Sequence, residues 1–184
     1  MADGTADGRE EPARTLGEAQ AGDLGAFERL MGLYERRVFL VAVRLLGNSA
    51  DAQDAAQEVF LRLYRHLRRM DRDPGPWIYR VTVNVCRDMA RRRLPSAAPA
   101  EAAAAQAPAE EGMALAERLG LVERALRTLP ERQRAALVLR DVEGLTTRET
   151  ASVLGTTEAT VRSHVSAARL RIKGFVEAML RRRS

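Results

Sequence analysis

The chain has 184 residues, with 30 Lys plus Arg against 25 Asp plus Glu and a formal net charge of +5. Its longest apolar run, Val38–Val43, is six residues, where a membrane span needs about 20, and the N-terminal stretch has no apolar leader-like region, so a cytoplasmic protein is expected. Cys86 is the only cysteine and His66 and His164 are the only histidines. That excludes an intramolecular disulfide and a cysteine-held zinc, and no metal or cofactor is expected.

Charge is unevenly placed: residues 1–94 sum to +2, residues 95–117 to −4 and residues 118–184 to +7. A basic C-terminal third suits a polyanionic partner. Residues 1–22, rich in Gly, Ala and acids without periodic apolar positions, read as a disordered tail. Two blocks follow, 23–94 and 113–184, separated by the Ala/Pro/Glu segment 95–112, whose composition builds no core and reads as a linker.

In the first block Phe27, Leu30, Tyr34, Val38, Val41 and Leu45 recur at steps of three and four, one helix stripe ending near Gly47. A second helix is expected after a Ser49 cap, with Ala52, Ala56, Val59, Leu63 and Leu67 inward. The Pro- and Gly-containing stretch Met70–Pro76 breaks the pattern as a loop. A third helix, from Trp77 to about Arg93, buries Ile78, Val81, Val85 and Met89 and turns Arg80, Asn84, Arg87 and Arg91 outward.

The second block opens with a stripe of Leu115, Leu119, Val122, Leu126 and Leu129. Pro130 then sits in the first turn of a helix reaching about Asp141, where Gly144 breaks the chain. Thr146 and Glu149 have capping-box spacing for a short helix ending at Gly155, and Thr157 caps a long last helix from Glu158 to about Arg181. The fold class is all-α: two small helical domains joined by a flexible linker.

Residues 146–173 have the spacing of a DNA-binding helix-turn-helix. Ala151 and Leu154 point inward, Gly155 permits the tight turn, and Val161, Val165 and Leu170 or Ile172 pack the second helix back. Glu158, Ala159, Thr160, Arg162, Ser163 and Ser166 then face outward, small enough for a major groove, with Arg162 and Arg169 in reach of phosphate or guanine. Thr157 and the free N–H groups of the helix start favour a phosphate. The same spacing also fits an ordinary helical hairpin in an Arg-rich protein.

Two further features carry paired readings. Asp51, Asp54 and Glu58 share one helix face, which suits a basic partner helix and equally a solvated acidic surface. No second acid, histidine or Gly-rich loop converges on them, so no catalytic site is expected and the chain does not read as an enzyme. Trp77 beside Arg80, Asn84, Arg87 and Arg91 suits either a buried helix-start anchor or a surface on which single-stranded bases stack. Cys86 reads as a small packed side chain rather than a redox group.

Three stretches in this order carry a resemblance: ADAQDAAQEVFLRLYRHL at 50–67, PWIYRVTVNVCRDMARRR at 76–93, and LRTLPERQRAALVLRDVEGLTTRETASVLGTTEATVRSHVSAARLRI at 126–172. The chain resembles a bacterial extracytoplasmic-function sigma factor, the minimal two-domain class of RNA polymerase specificity subunits, over residues 23–94 and 115–175. The resemblance implies that Asp51, Asp54, Gln57 and Glu58 contact core RNA polymerase. It implies that Trp77, Arg80, Asn84, Arg87 and Arg91 face the minus-ten promoter element, with the loop at about Arg68–Pro76 capturing a flipped non-template base. Thr157, Glu158, Ala159, Thr160, Arg162, Ser163, His164, Ser166 and Arg169 would face the minus-thirty-five duplex.

The resemblance also implies promoter melting, chemistry left to the core polymerase, and a sequestering anti-sigma protein. The chain departs from the family in a shorter loop with Met70 where an aromatic is frequent, and in His164 and Ala167 where arginines are common. The alternatives are a free-standing helix-turn-helix regulator that binds duplex DNA without polymerase, and a helical adaptor whose only partner is protein.

Overall fold

The computed structural model describes residues 7–70, 73–92 and 120–181, and every regular element among them is helical. The linker at 95–112 and the stripe positions Leu115 and Leu119 lie outside the described residues.

The N-terminal segment departs from the expected disordered tail. Residues Asp7–Gln20 form a helix, α1, that buries Leu16 and Ala19 against the first core. With so few apolar residues the stretch shows no repeating stripe. Two of them at a step of three are nevertheless enough to dock it on a preformed helix face, and tertiary packing supplies what periodicity lacks.

Helix α2 (Leu24–Leu46) is capped by the Asp23 carboxylate, which accepts from the Ala26 N–H at 3.1 Å. It ends at Gly47, whose φ of +80° closes the last turn without Cβ strain. Its buried stripe is Ala26, Leu30, Tyr34, Val38, Val41 and Ala42. Helix α3 (Ser49–His66) is capped by Asn48 rather than Ser49: the Asn48 side chain accepts from the Asp51 N–H at 2.8 Å. Asparagine ranks with serine as a cap, and here its longer side chain reaches the third N–H. Helix α4 (Gly75–Arg92) starts two residues earlier than expected and buries Ile78, Tyr79, Thr82, Val83, Val85 and Cys86. Fully burying Leu30, Leu63 and Ile78, all at 0% exposure, contributes about 1.5–3 kcal/mol each.

The second module begins in a helical stretch at 120–127, α5, where Leu126 is buried but Val122 is 52% exposed and leaves the expected stripe. Pro130 occupies the cap of α6 (Glu131–Leu137), one position before the expected one. A wide turn, Val138–Val142, prolongs α6 with its hydrogen bonds one residue longer. Helices α7 (Thr147–Leu154) and α8 (Glu158–Arg181) complete it.

The two modules do not stand apart. Val41, Tyr79 and Val83 of the first belong to the same buried cluster as Leu126, Leu139, Val153 and Val161 of the second. Polar links tie the same seam. Arg134 donates to the Leu45 carbonyl at 2.7 Å, and Arg127 donates to the carbonyl of Gly47.

Candidate nucleic-acid and polymerase interface

Three surfaces hold the residues singled out in the sequence, and the fold treats each differently. On α3, Asp54 and Gln57 are exposed and Glu58 is half-buried, with its carboxylate accepting from Arg62 Nε at 2.7 Å. Asp51 is engaged at the helix start, where its Oδ2 accepts from the Asn48 amide at 2.8 Å. The ridge continues into Leu61 and Tyr64, which are 51% and 56% exposed. Tyr64 is steadied by an edge-on contact with Phe27, ring centres 5.3 Å apart. These two apolar residues escaped the sequence reading. Their signal was available, because Leu61 lies three residues after Glu58 and off the Val59–Leu63 inward stripe.

The basic face of α4 is partly occupied by the second module. Arg80 is exposed yet donates from Nη2 to the Ser152 carbonyl at 2.9 Å, and Arg87 Nε donates to Glu131 at 2.7 Å. Asn84 and Arg91 are exposed. Trp77 is half-buried against the first core, with its ring 5.6 Å from that of His66, so it anchors the helix start and only its outer part faces solvent. Cys86 is 3% exposed on the inner side, and burial pushes its thiol up to about 12, which keeps it protonated and inert at neutral pH.

Glu143 is the centre of the seam. Its side chain is 8% exposed; Oε1 accepts from Arg44 at 3.3 Å and Oε2 from the Tyr79 hydroxyl at 3.1 Å. Burial first, then the Glu143 carboxylate, pushes the Tyr79 phenol well above its ordinary value. Burial lowers the Arg134 guanidinium, its cost offset by bonds to the carbonyls of Leu45 and Leu129. Nothing in the sequence marks Glu143, Arg134 or Arg127, because their partners lie at sequence separations of 64 to 99 residues.

The third surface is open. Thr146 and Glu149 make the reciprocal capping box, and Gly155 turns the chain at φ +61°. Thr150, Ala151 and Val153 face inward from α7, with Leu154 only partly buried. Val161, Val165 and Ala168 seat α8 on them; Leu170 is 68% exposed, so the inward role passes to Ile172. The Thr157 hydroxyl accepts from the Thr160 N–H at 3.1 Å. Glu158, Ala159, Arg162, Ser163, Ser166 and Arg169 are exposed along one side, with Thr160 and His164 half-buried beside them. Arg169 is held in a two-pronged pair by Asp141 at 2.8 and 2.9 Å, so a phosphate there would compete with a carboxylate. Among the described residues no group of three or more His, Cys, Asp or Glu could hold a metal ion, and no helix is long and apolar enough to cross a membrane.

A two-module helical chain with an acidic-apolar ridge, a basic helix and a helix-turn-helix is the architecture of a polymerase specificity subunit. Comparison with known proteins agrees. The family models of Sigma-70 region 2 and Sigma-70 region 4 match residues 30–94 and 119–172. The chain is 35% identical over 181 residues to the ECF RNA polymerase sigma factor SigE of Mycolicibacterium smegmatis, covering 91% of this chain and 69% of that one. It is 32% identical over 178 residues to the ECF RNA polymerase sigma-E factor of Escherichia coli, covering 89% and 93%. In fold it is similar to CnrH, solved in complex with the cytosolic domain of CnrY, at a TM-score of 0.73 and 22% identity over 91% of this chain and 98% of that one. It is likewise similar to the sigma factor RpoE of Bartonella quintana, solved with the anti-sigma factor NepR, at 0.68 and 20% over 82% and 96%.

The protein belongs to the extracytoplasmic-function family of RNA polymerase sigma factors. It is a sigma factor that directs core polymerase to promoters, and the free-standing regulator is not favoured.

Proposed function

We propose that each of the three surfaces takes one partner. The α3 ridge of Asp54, Gln57 and Glu58, extended by Leu61 and Tyr64, docks on core polymerase, with Asp51 fixing the start of the helix. Trp77, Arg80, Asn84, Arg87 and Arg91 of α4 hold the melted minus-ten strand, and the α3–α4 connection receives a base taken out of the stack. Thr157 at the cap and Glu158, Ala159, Thr160, Arg162, Ser163, His164, Ser166 and Arg169 of α8 read the minus-thirty-five duplex. Melting costs a few kcal/mol per base, offset by stacking and phosphate contacts, and the nucleotidyl transfer stays with the core enzyme, so the chain itself is no catalyst.

The observation that carries this reading is the asymmetry of the seam: the α3 ridge and α8 face lie outside it, with polar partners from their own modules, while Arg80 and Arg87 of α4 are engaged by the second module. The free protein is thus ready for polymerase and duplex, and reads the melted strand only after the modules part. A sequestering protein that binds both modules would hold the seam shut; the fold relatives solved with CnrY and with the anti-sigma factor NepR support such a partner. The protein acts with polymerase in the cytoplasm, on the nucleoid.

Run-off transcription tests it, using core polymerase with this protein on sheared DNA of the source genome. Discrete starts sharing two upstream motifs are expected. Asp54→Ala with Glu58→Ala removes polymerase binding at unchanged helicity, and Asn84→Ala leaves polymerase binding intact while open complexes fall at least tenfold. Normal promoter opening by Asn84→Ala would remove α4 from the reading.

A further inference from the structure

Where α4 meets the second module, the seam leaves a cleft of about 120 Å³. Arg87 lines it from α4; Arg132 of α6, the turn Leu154–Thr156 and His164 of α8 line it from the other side. The cleft therefore exists only while the modules are docked. Its ionisable lining is two guanidiniums and an imidazole, with the Thr156 hydroxyl beside them and no carboxylate. Arg87 gives Nε to Glu131 at 2.7 Å. A guanidinium has five N–H donors, so the Nη groups of Arg87 are left for a second acceptor. Among the described residues Arg132 and His164 have no hydrogen bond or ion pair.

Docking thus brings like charges from opposite modules to one cleft, with Glu131 at its edge as the acid that offsets them. Like charges at short range repel. An oxyanion between them removes that repulsion and accepts charge-assisted hydrogen bonds from both sides. Pockets for drug-sized ligands start at about 300 Å³, so this cleft suits a phosphate group rather than a larger organic molecule. The tetrahedral oxygens of a phosphate serve donors from separate elements, whereas the two oxygens of a carboxylate lie in one plane.

We propose that this cleft binds a small phosphate-bearing anion, free in solution, which bridges Arg87 to Arg132 and His164 and holds the two modules docked. A ligand that needs groups from both modules binds the docked state alone. By mass action it raises the docked-to-open ratio by the factor 1 + [L]/Kd. On the reading above, that opposes the release of α4 to the melted strand. This consequence rests on that reading; the site itself does not.

Titration calorimetry of the full-length protein with pyrophosphate tests the site, with chloride keeping the ionic strength constant. One saturable site per chain is expected. Arg87→Ala and Arg132→Ala, one from each module, should each weaken it about tenfold, as the loss of one charge-assisted pair does. Arg132 is exposed, so its variant keeps the fold, which circular dichroism checks. Arg124→Ala removes the same charge from an exposed position outside the cleft and should leave binding unchanged. Heat that never saturates, or an equal loss in Arg124→Ala, reduces the effect to general charge and overturns the proposal. Undiminished binding in either cleft variant overturns it too, because the anion would then not bridge the modules. The titration needs neither polymerase nor DNA, so a chain that binds pyrophosphate yet starts no transcripts would sink the promoter reading and leave the site standing.

Discussion

Helices α4 and α8 carry similar chemistry and face opposite circumstances. Each presents arginines on one side, Arg80, Arg87 and Arg91 against Arg162 and Arg169, over a buried stripe of small and branched residues. On α8 Arg162 lies 3.5 Å from Glu158 of the same helix and Arg169 is paired with Asp141, so both partners belong to the same module. On α4 two of them already bond across the seam, and the neighbouring Tyr79 and Val83 are buried by the second module. A phosphate contact is favoured by the counterions it releases, but an arginine bonded across the seam must first give up its partner. On the proposed reading, residue type suits both helices to nucleic acid, and tertiary contact would rank them in order of use.

The largest effect expected from breaking this asymmetry is at Glu143. Glu143→Ala leaves Arg44 and Tyr79 without their shared acceptor. Removing one member of a largely buried pair costs about 3 kcal/mol, on the order of a hundredfold in the docked-to-open ratio. Energy transfer between dyes on α3 and α8 should report separated modules, and affinity for the non-template minus-ten strand should rise; unchanged energy transfer would mean that the apolar cluster alone holds the seam.

Arg80→Ala is expected to act in two opposed ways. Losing the bond to Ser152 loosens the seam by about 1 kcal/mol, several-fold. The same change weakens single-strand binding once the modules are open, so combining it with Glu143→Ala should give open modules and poor strand affinity. Strand affinity equal to that of Glu143→Ala alone would take Arg80 out of the interface.

Arg162→Ala touches only the open helix. The logarithmic salt slope for the minus-thirty-five duplex should fall by about 0.9, one phosphate contact, with energy transfer across the seam unchanged. A slope equal to that of the wild type places Arg162 away from the backbone.

The smallest effect is a pH dependence confined to alkaline solution. Tyr79 in the seam ionises above its usual value of 10.0, so its neutral form favours docking fully below about pH 10 and that contribution is lost as pH rises from there through the raised value. Phenolate absorbance and energy transfer should change together. Separation of the modules between pH 6 and 9 would point to a different titrating group.

Much of the local structure was legible. The α2 stripe, the end at Gly47, the Thr146–Glu149 box, the Gly155 turn and the Thr157 cap depend on neighbours within a few residues, and the chain adopts them as the pattern requires. The errors fall where a contact comes from far away. α1 has too few apolar residues to show a period, and it is a helix because Leu16 and Ala19 find a surface. Val122 fits the local stripe but faces solvent, and of the alternatives Leu170 and Ile172 only Ile172 packs inward. Leu61 and Tyr64 look unremarkable in sequence until the fold leaves them exposed beside Glu58.

The sequence by itself determined two helical blocks, their capping and turn chemistry, and the helix-turn-helix, because periodicity and caps act over one or two helical turns. Only the tertiary structure decided that Glu143 joins Arg44 and Tyr79, that the second module sits on α4, and that Gln20 holds the start of the α3–α4 connection. Each of those bonds closes a loop of 47 to 99 residues, and no local pattern reports which distant carbonyl or carboxylate a folded chain will bring within hydrogen-bond reach of a donor.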